Sequence, residues 1–294
     1  MKVLRTVAEL RRWSRANRSH AGGPGPDFGT WEPTNRIGLV PTMGALHAGH
    51  ASLIRAARAA CSHAAVSLFV NPTQFGPNED YARYPRSFDA DCALAESGGA
   101  DVLFTPTVEE LYPNGSDSTF VEVPGLGNRL DGASRPGHFR GVATVVAKLL
   151  IAAEPDLAFF GQKDAAQVAV LRRMVTDLRF GAEIVVCPIV RDADGLALSS
   201  RNAYLSPAER MQALTLSRAI RHVVSLAAQG ERRADTLLAA AHEIFAAEPA
   251  VRIDFIALVD WSTLLPVATA APGTLFAVAA YVGSTRLIDN TVLA

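Results

Sequence analysis

The chain is predicted to be an α/β protein: a doubly wound, mostly parallel sheet with helices on both faces, followed by a smaller α+β domain. Three observations carry this prediction. Strand-like and helix-like runs alternate from Ile37 to Cys187, the pattern of a mostly parallel sheet. The character changes after Pro188, so the expected domains are residues 1–189 and 190–294. Hydrophobic residues make up 49% of the 294, which suffices for a sizeable core.

The elements follow in order. Val3, Val7, Leu10 and Trp13 recur at helical spacing and predict a surface helix. Residues His20 to Thr34 are rich in Gly and Pro and read as a loop. Ile37–Val40 reads as a strand and Ala51–Ala60 as a helix. Ala64–Val70 is a buried strand, Phe88–Ser97 a helix and Asp101–Phe104 a short strand. Thr119–Val123 alternates like a strand. Gly141–Ala153 is a helix stopped by Pro155, Leu157–Phe160 a strand, Asp164–Leu178 a helix and Glu183–Cys187 a strand. A polar turn, Arg191–Pro207, leads to two amphipathic helices, Ala208–Ala228 and Arg232–Ala247. Three strand-like runs follow, at Arg252–Val259, Leu275–Tyr281 and Thr285–Asp289.

Composition excludes several classes. With 28 Lys+Arg against 29 Asp+Glu, the net charge of −1 argues against a broad nucleic-acid surface. The three cysteines lie far apart without a Cys-x-x-Cys pair, so reduced thiols in a cytoplasmic protein are expected. The basic N-terminus lacks the apolar core of a signal peptide, with a transit peptide as the minor alternative. No apolar run reaches membrane-spanning length.

Four clusters carry chemistry. Pro41-Thr42-Met43-Gly44-Ala45-Leu46-His47-Ala48-Gly49-His50 sits where a strand hands over to a helix. A helix N-terminus offers N–H donors and positive potential to phosphate, and two imidazoles add donors. A half zinc site is the rival, but it lacks a third ligand. Asn71-Pro72-Thr73-Gln74 follows the next strand, and its amides suit substrate hydroxyls; taken alone, a turn held by Pro72 and capped by Asn71 is the favoured reading. Gly161-Gln162-Lys163-Asp164 follows a third strand. Lys163 suits phosphate, Asp164 could cap the helix or accept from ribose, and Gln167 shares the face of Asp164. Leu198-Ser199-Ser200-Arg201-Asn202 places hydroxyls beside an arginine, a phosphate clamp or a solvated hinge. The basic run Arg135–Arg140 is a further anion candidate. Three clusters at strand carboxyl ends coincide with the usual ligand edge of an open α/β sheet.

His47-Ala48-Gly49-His50 resembles the His-x-Gly-His signature of the nucleotidyltransferase superfamily. With Pro41–His47, Phe69–Asp80, Arg135–Val142, Phe160–Asp164 and Leu198–Asn202, the chain resembles the pantoate–β-alanine ligase family from about Val3 onward. The resemblance implies a Rossmann-like N-terminal domain, a C-terminal lid domain and a homodimer. It implies ATP and Mg²⁺, with (R)-pantoate converted to pantoyl adenylate before β-alanine attacks. It assigns ATP to Met43, Gly44, Ala45, Leu46, His47, Ala48, Gly49, His50, Gly161, Gln162, Lys163, Asp164, Val190, Leu198, Ser199, Ser200 and Arg201. Val190 is assigned to adenine through its backbone. Catalytic roles fall to His50, His47, Lys163, Ser199 and Arg201, pantoate to Gln74 and Gln167, and β-alanine to Gln74 and Asn71. The family often has Met at Leu198, Glu at Gln162 and an aromatic at Ala165, and a shorter loop at His20–Thr34.

Two other functions fit parts of this pattern. An enzyme adenylating a phosphorylated cofactor precursor would want more Arg or Lys than Gln74 and Gln167 supply. A non-catalytic nucleotide-binding protein need not carry both histidines and the Ser-Ser-Arg run.

Overall fold

A computed structural model of the chain describes residues 1–18, 35–77, 79–115 and 118–294. The predicted loop His20–Thr34 lies outside them. The chain divides into two compact units. The first holds residues 1–122, 140–160 and 171–187, and the second 123–139, 161–170 and 188–294. The second unit therefore joins residues 188–294 with two earlier segments of the chain.

The first unit is built on a six-stranded sheet. Its strands are β1 (Lys2–Leu4), β2 (Ile37–Thr42), β3 (His63–Leu68), β4 (Val102–Phe104), β5 (Leu157–Gly161) and β6 (Glu183–Cys187). Their order is β1-β4-β3-β2-β5-β6, and the pairs β1–β4, β4–β3, β3–β2 and β2–β5 are parallel. The chain moves from β2 outward to β3, then returns to the other side of β2 for β5. That reversal makes β2 and β5 the flanks of a topological switch point, where open α/β sheets bind ligands beyond the strand carboxyl ends.

Local chemistry sets the helices. Val3 does not join the N-terminal helix as its spacing predicts; it lies in β1, paired with Leu103. Helix α1 (Val7–Asn17) starts only after a capping box in which Thr6 and Glu9 satisfy each other's backbone N–H groups. Helix α2 (Ala48–Ala60) packs Leu53, Ile54 and Ala57 against Val40, Val66, Leu103 and Phe159 of the sheet. Helix α3 (Phe88–Ser97) matches its prediction, and a short α4 (Val108–Leu111) follows β4. Thr119–Val123 forms no strand. Val121 N–H donates to Thr144 Oγ1 at 2.9 Å, so a side chain takes the place of a neighbouring strand. Two short helices, α5 (Pro124–Gly127) and α6 (Asp131–Ser134), lead to α7 (His138–Ala153). Helix α8 (Ala165–Asp177) follows β5 after one 3₁₀ turn.

The C-terminal part of the second unit is the α+β arrangement expected. Helix α9 (Pro207–Ala228) opens with Ser206 as cap, Pro207 in the first turn and Glu209 closing a capping box. Helix α10 (Ala234–Ala246) follows, then β7 (Val251–Asp260), β8 (Thr274–Val282) and β9 (Thr285–Val292) in an antiparallel sheet. Phe276, Val278, Ala280 and Val282 share one face by strand alternation and meet Leu216, Ile220, Leu237 and Phe245 of the helices.

Burial pushes the Cys61 thiol up to about 11, with the Asp156 carboxylate adding to the effect. Burial also raises Cys92 and Cys187. Thiolate is the reactive form, so all three should react slowly with a disulfide reagent at neutral pH. Three thiols titrating in the native protein as fast as in denaturant would contradict this.

Candidate functional site

In the first unit the site begins where β2 ends. Gly44 (φ +87°) and Ala45 (φ +49°) carry the chain through left-handed backbone that suits glycine. The turn is held from a distance. Asp91, in the first turn of α3 and 1% exposed, accepts Ala45 N–H at 3.0 Å and Leu46 N–H at 2.7 Å. Ser87 donates to the same carboxylate at 3.2 Å. Asp91 was not singled out by sequence, since it reads as an ordinary helix-start charge.

The turn delivers the two histidines to the start of α2. His47 is the N-cap, and its Nδ1 accepts from Gly49 N–H at 3.1 Å. His50, three residues on, accepts His47 N–H on its own Nδ1 at 3.3 Å. The pair forms a capping box out of imidazoles, with ring centroids 4.2 Å apart. A neutral imidazole that accepts on Nδ1 carries its hydrogen on Nε2. Both rings are therefore Nε2–H donors.

Beyond β3, a 3₁₀ turn (Pro72–Gln74) is capped by Asn71. Asn71 is fully buried, and its amide is committed within the protein. Nδ2 donates to Gln74 Oε1 and to Gly141 O, both at 3.1 Å. Oδ1 accepts from Thr73 and, at 2.9 Å, from the Tyr112 hydroxyl. Burial raises the Tyr112 phenol, keeping it in the protonated form that donates. Gly141 allows this approach, because a Cβ there would collide with the Thr73 carbonyl. Asn71 thereby orients Gln74, whose Nε2 donates to Met43 Sδ at 2.9 Å. The Met43 loop and Gln74 are brought together.

In the second unit one cleft gathers Arg135, His138, Lys163, Asp164, Gln167, Ser199 and Arg201. Lys163 Nζ stands 4.0 Å from Asp164 Oδ1. Ser199 caps the 3₁₀ turn Ser200–Tyr204 by accepting Arg201 N–H at 3.3 Å. Val190 and Leu198 sit opposite each other in a hairpin, Leu198 N–H donating to Val190 O at 2.9 Å. The basic run divides. Arg135 and His138 face the cleft with Nη1 and Nε2 3.0 Å apart, whereas Arg140 stacks over Phe120 in the first unit. Gly161, Gln162, Val190, Leu198 and Ser200 do not line the cleft; they belong to the turns that support it.

No group of three or more His, Cys, Asp or Glu side chains able to hold a metal occurs among the described residues. Mg²⁺ binds through one or two carboxylates, water and substrate phosphates and needs no protein cage. Asp164, beside Lys163, is one of the carboxylates that line the cleft.

A sequence model of the pantoate–β-alanine ligase family matches residues 2–292. The chain belongs to the pantoate–β-alanine ligase family. It is a ligase. The pantothenate synthetase of Acidobacterium capsulatum is 59% identical over 293 residues, covering 100% of this chain and 97% of that one. The crystal structure of pantothenate synthetase from Thermus thermophilus superposes with a TM-score of 0.89 at 46% identity, over 99% of both chains. That of pantoate–β-alanine ligase from Francisella tularensis, complexed with β,γ-ATP and β-alanine, gives 0.77 at 32% identity, over 99% of this chain and 97% of that one. The Rossmann-like reading of the parallel sheet and the α+β reading of the C-terminal part both agree with these structures. No helix among the described residues is long and apolar enough to cross a membrane.

Proposed function

We propose that this ligase activates (R)-pantoate with ATP, forming pantoyl adenylate and pyrophosphate, and then transfers the acyl group to β-alanine. The products are pantothenate and AMP. The observation that carries the residue assignment is the cleft holding Lys163, Ser199, Arg201 and Gln167 together. Phosphate donors and an amide suited to pantoate share one cavity there.

Attack of the pantoate carboxylate on the α-phosphate places growing negative charge on phosphate oxygens. Preorganised donors stabilise that charge. In this reading they are the Nε2–H groups of His47 and His50, the Lys163 ammonium, the Ser199 and Ser200 hydroxyls and the Arg201 guanidinium. Backbone groups of Met43–Gly49 and of Gly161–Asp164 line the nucleotide path, with Leu198 packing alongside and Val190 meeting adenine. His50 as Nε2–H donor stabilises the leaving pyrophosphate, which needs little protonation. Gln74 and Gln167 hold pantoate, and Gln74 also meets β-alanine. Asn71 serves that end by holding Gln74 in place. Asp164 is the cleft carboxylate that would hold a Mg²⁺ ion arriving with ATP, which would offset phosphate charge. Residues 1–189 are read as the nucleotide- and pantoate-binding domain and 190–294 as the lid that keeps water from the acyl phosphate. The working protein is read as a cytoplasmic homodimer.

The test separates the two steps. Labelled pyrophosphate should exchange into ATP only when pantoate is present, and AMP release should require β-alanine. A protein that binds ATP yet shows no pantoate-dependent exchange would sink the ligase chemistry.

A further inference from the structure

The second unit holds a polar step in an edge strand that the proposed chemistry leaves unused. Asp289 and Asn290 are consecutive residues of β9, and each is 3% exposed. Successive strand side chains point to opposite faces, so two neighbours in one strand can grip two different segments.

Asp289 grips the Val190–Leu198 hairpin. It takes Arg191 in a bidentate pair, Nη1 to Oδ2 at 2.6 Å and Nη2 to Oδ1 at 2.8 Å. Arg191 Nη1 also donates to Gly195 O at 3.1 Å, bracing the hairpin turn. The hairpin runs directly into Ser199 and Arg201. Asn290 grips the other donor segment. Its Nδ2 donates to Gln162 O at 3.0 Å and to Lys163 O at 2.8 Å. Its Oδ1 accepts from Gln162 Nε2 at 3.3 Å. Asn290 N–H donates to Asp289 Oδ1 at 2.8 Å, which ties the two grips together.

Buried ion pairs do not outperform apolar packing as a source of stability. Fully paired polar networks fix geometry instead. We infer that Asp289 and Asn290 are positioning residues that set the Lys163 turn against the Ser199–Arg201 segment. The inference rests on the proposed role of those segments as ATP donors. Asn290 acts through the backbone carrying Lys163, and Asp289 through Arg191.

A double-mutant cycle tests this in the full-length chain. Pantoate-dependent ATP–pyrophosphate exchange is measured in Asn290→Ala, in Lys163→Ala and in the double variant, alongside thermal melting. Asn290→Ala should lower kcat/KM for ATP by about 10- to 100-fold, as small misplacements of catalytic groups do. The double variant should match Lys163→Ala to within about twofold, because coupled residues are not additive. Asn290→Asp, which keeps the shape but aims a carboxylate at two carbonyls, should lose at least as much. Additive losses, or a wild-type rate in either Asn290 variant, overturn the inference. So does loss of cooperative melting in both, which would make Asn290 a folding residue. A wild-type chain without exchange fails the ligase reading and takes this inference with it. Wild-type exchange with unaffected Asn290 variants fails the inference alone.

Discussion

Replacing Lys163 or His50 with alanine is expected to cut pantoate-dependent ATP–pyrophosphate exchange by at least about 100-fold, the usual loss when one preorganised donor is removed. Lys163 lines the cleft of the second unit and presents a compact cation to phosphate. His50 presents Nε2–H because its Nδ1 is taken by His47 N–H. The His50 substitution also removes a capping acceptor, which costs about 1 kcal/mol of stability. His50→Gln separates the two effects. Glutamine at this helix position closes a capping box but has no imidazole. It should melt near the wild-type temperature and remain inactive. Near-normal exchange in Lys163→Ala or in His50→Gln would remove that residue from the mechanism.

Asp91→Ala should be the most damaging change outside the proposed donors. It strands the Ala45 and Leu46 N–H groups in a half-buried turn, at up to about 1–3 kcal/mol for each unmet donor. It also releases a segment that holds Gly44 and Ala45 at positive φ. For the non-glycine Ala45 such backbone costs about 1–3 kcal/mol and persists only where its surroundings enforce it. The expected result is a loss of about 2–4 kcal/mol in denaturant unfolding, with a rise of at least about tenfold in the KM for ATP from misplaced donors. Asp91→Asn keeps one accepting oxygen and should fall between. An Asp91→Ala protein with wild-type stability and a wild-type KM for ATP would show that the turn holds itself.

The first cluster was legible because its signal is local. A strand, two glycines, two histidines and a helix stand in one short run, so spacing alone placed the imidazoles at a helix N-terminus. The alternation of elements was legible for the same reason. What escaped was support delivered from far along the chain. Asp91 lies 46 residues from Ala45, and in sequence it is one more acid at a helix start. Asp289 reads only as the end of a strand, and Asn290 lies just beyond the predicted run. Thr119–Val123 had the period of a strand, but periodicity reports a half-buried segment and says nothing of whether a partner strand exists. Val3 was drawn into a helical stripe because hydrophobic spacing ignored the cap at Thr6. Asn71 reads from sequence both as a cap and as a substrate group; its cap is local and legible, whereas its bond to Gly141 O, 70 residues away, is not.

The imidazole capping box has a bearing on descent as well as on chemistry. Each histidine is seated partly by the other, so the motif behaves as one heritable character. Loss of His50 frees the His47 N–H, and loss of His47 frees that of Gly49. A lineage abandoning the chemistry would keep the helix start only by recruiting a replacement cap, such as Asn or Asp at position 47. Drift away from this motif should therefore leave a recognisable scar: a short polar cap where an imidazole once stood.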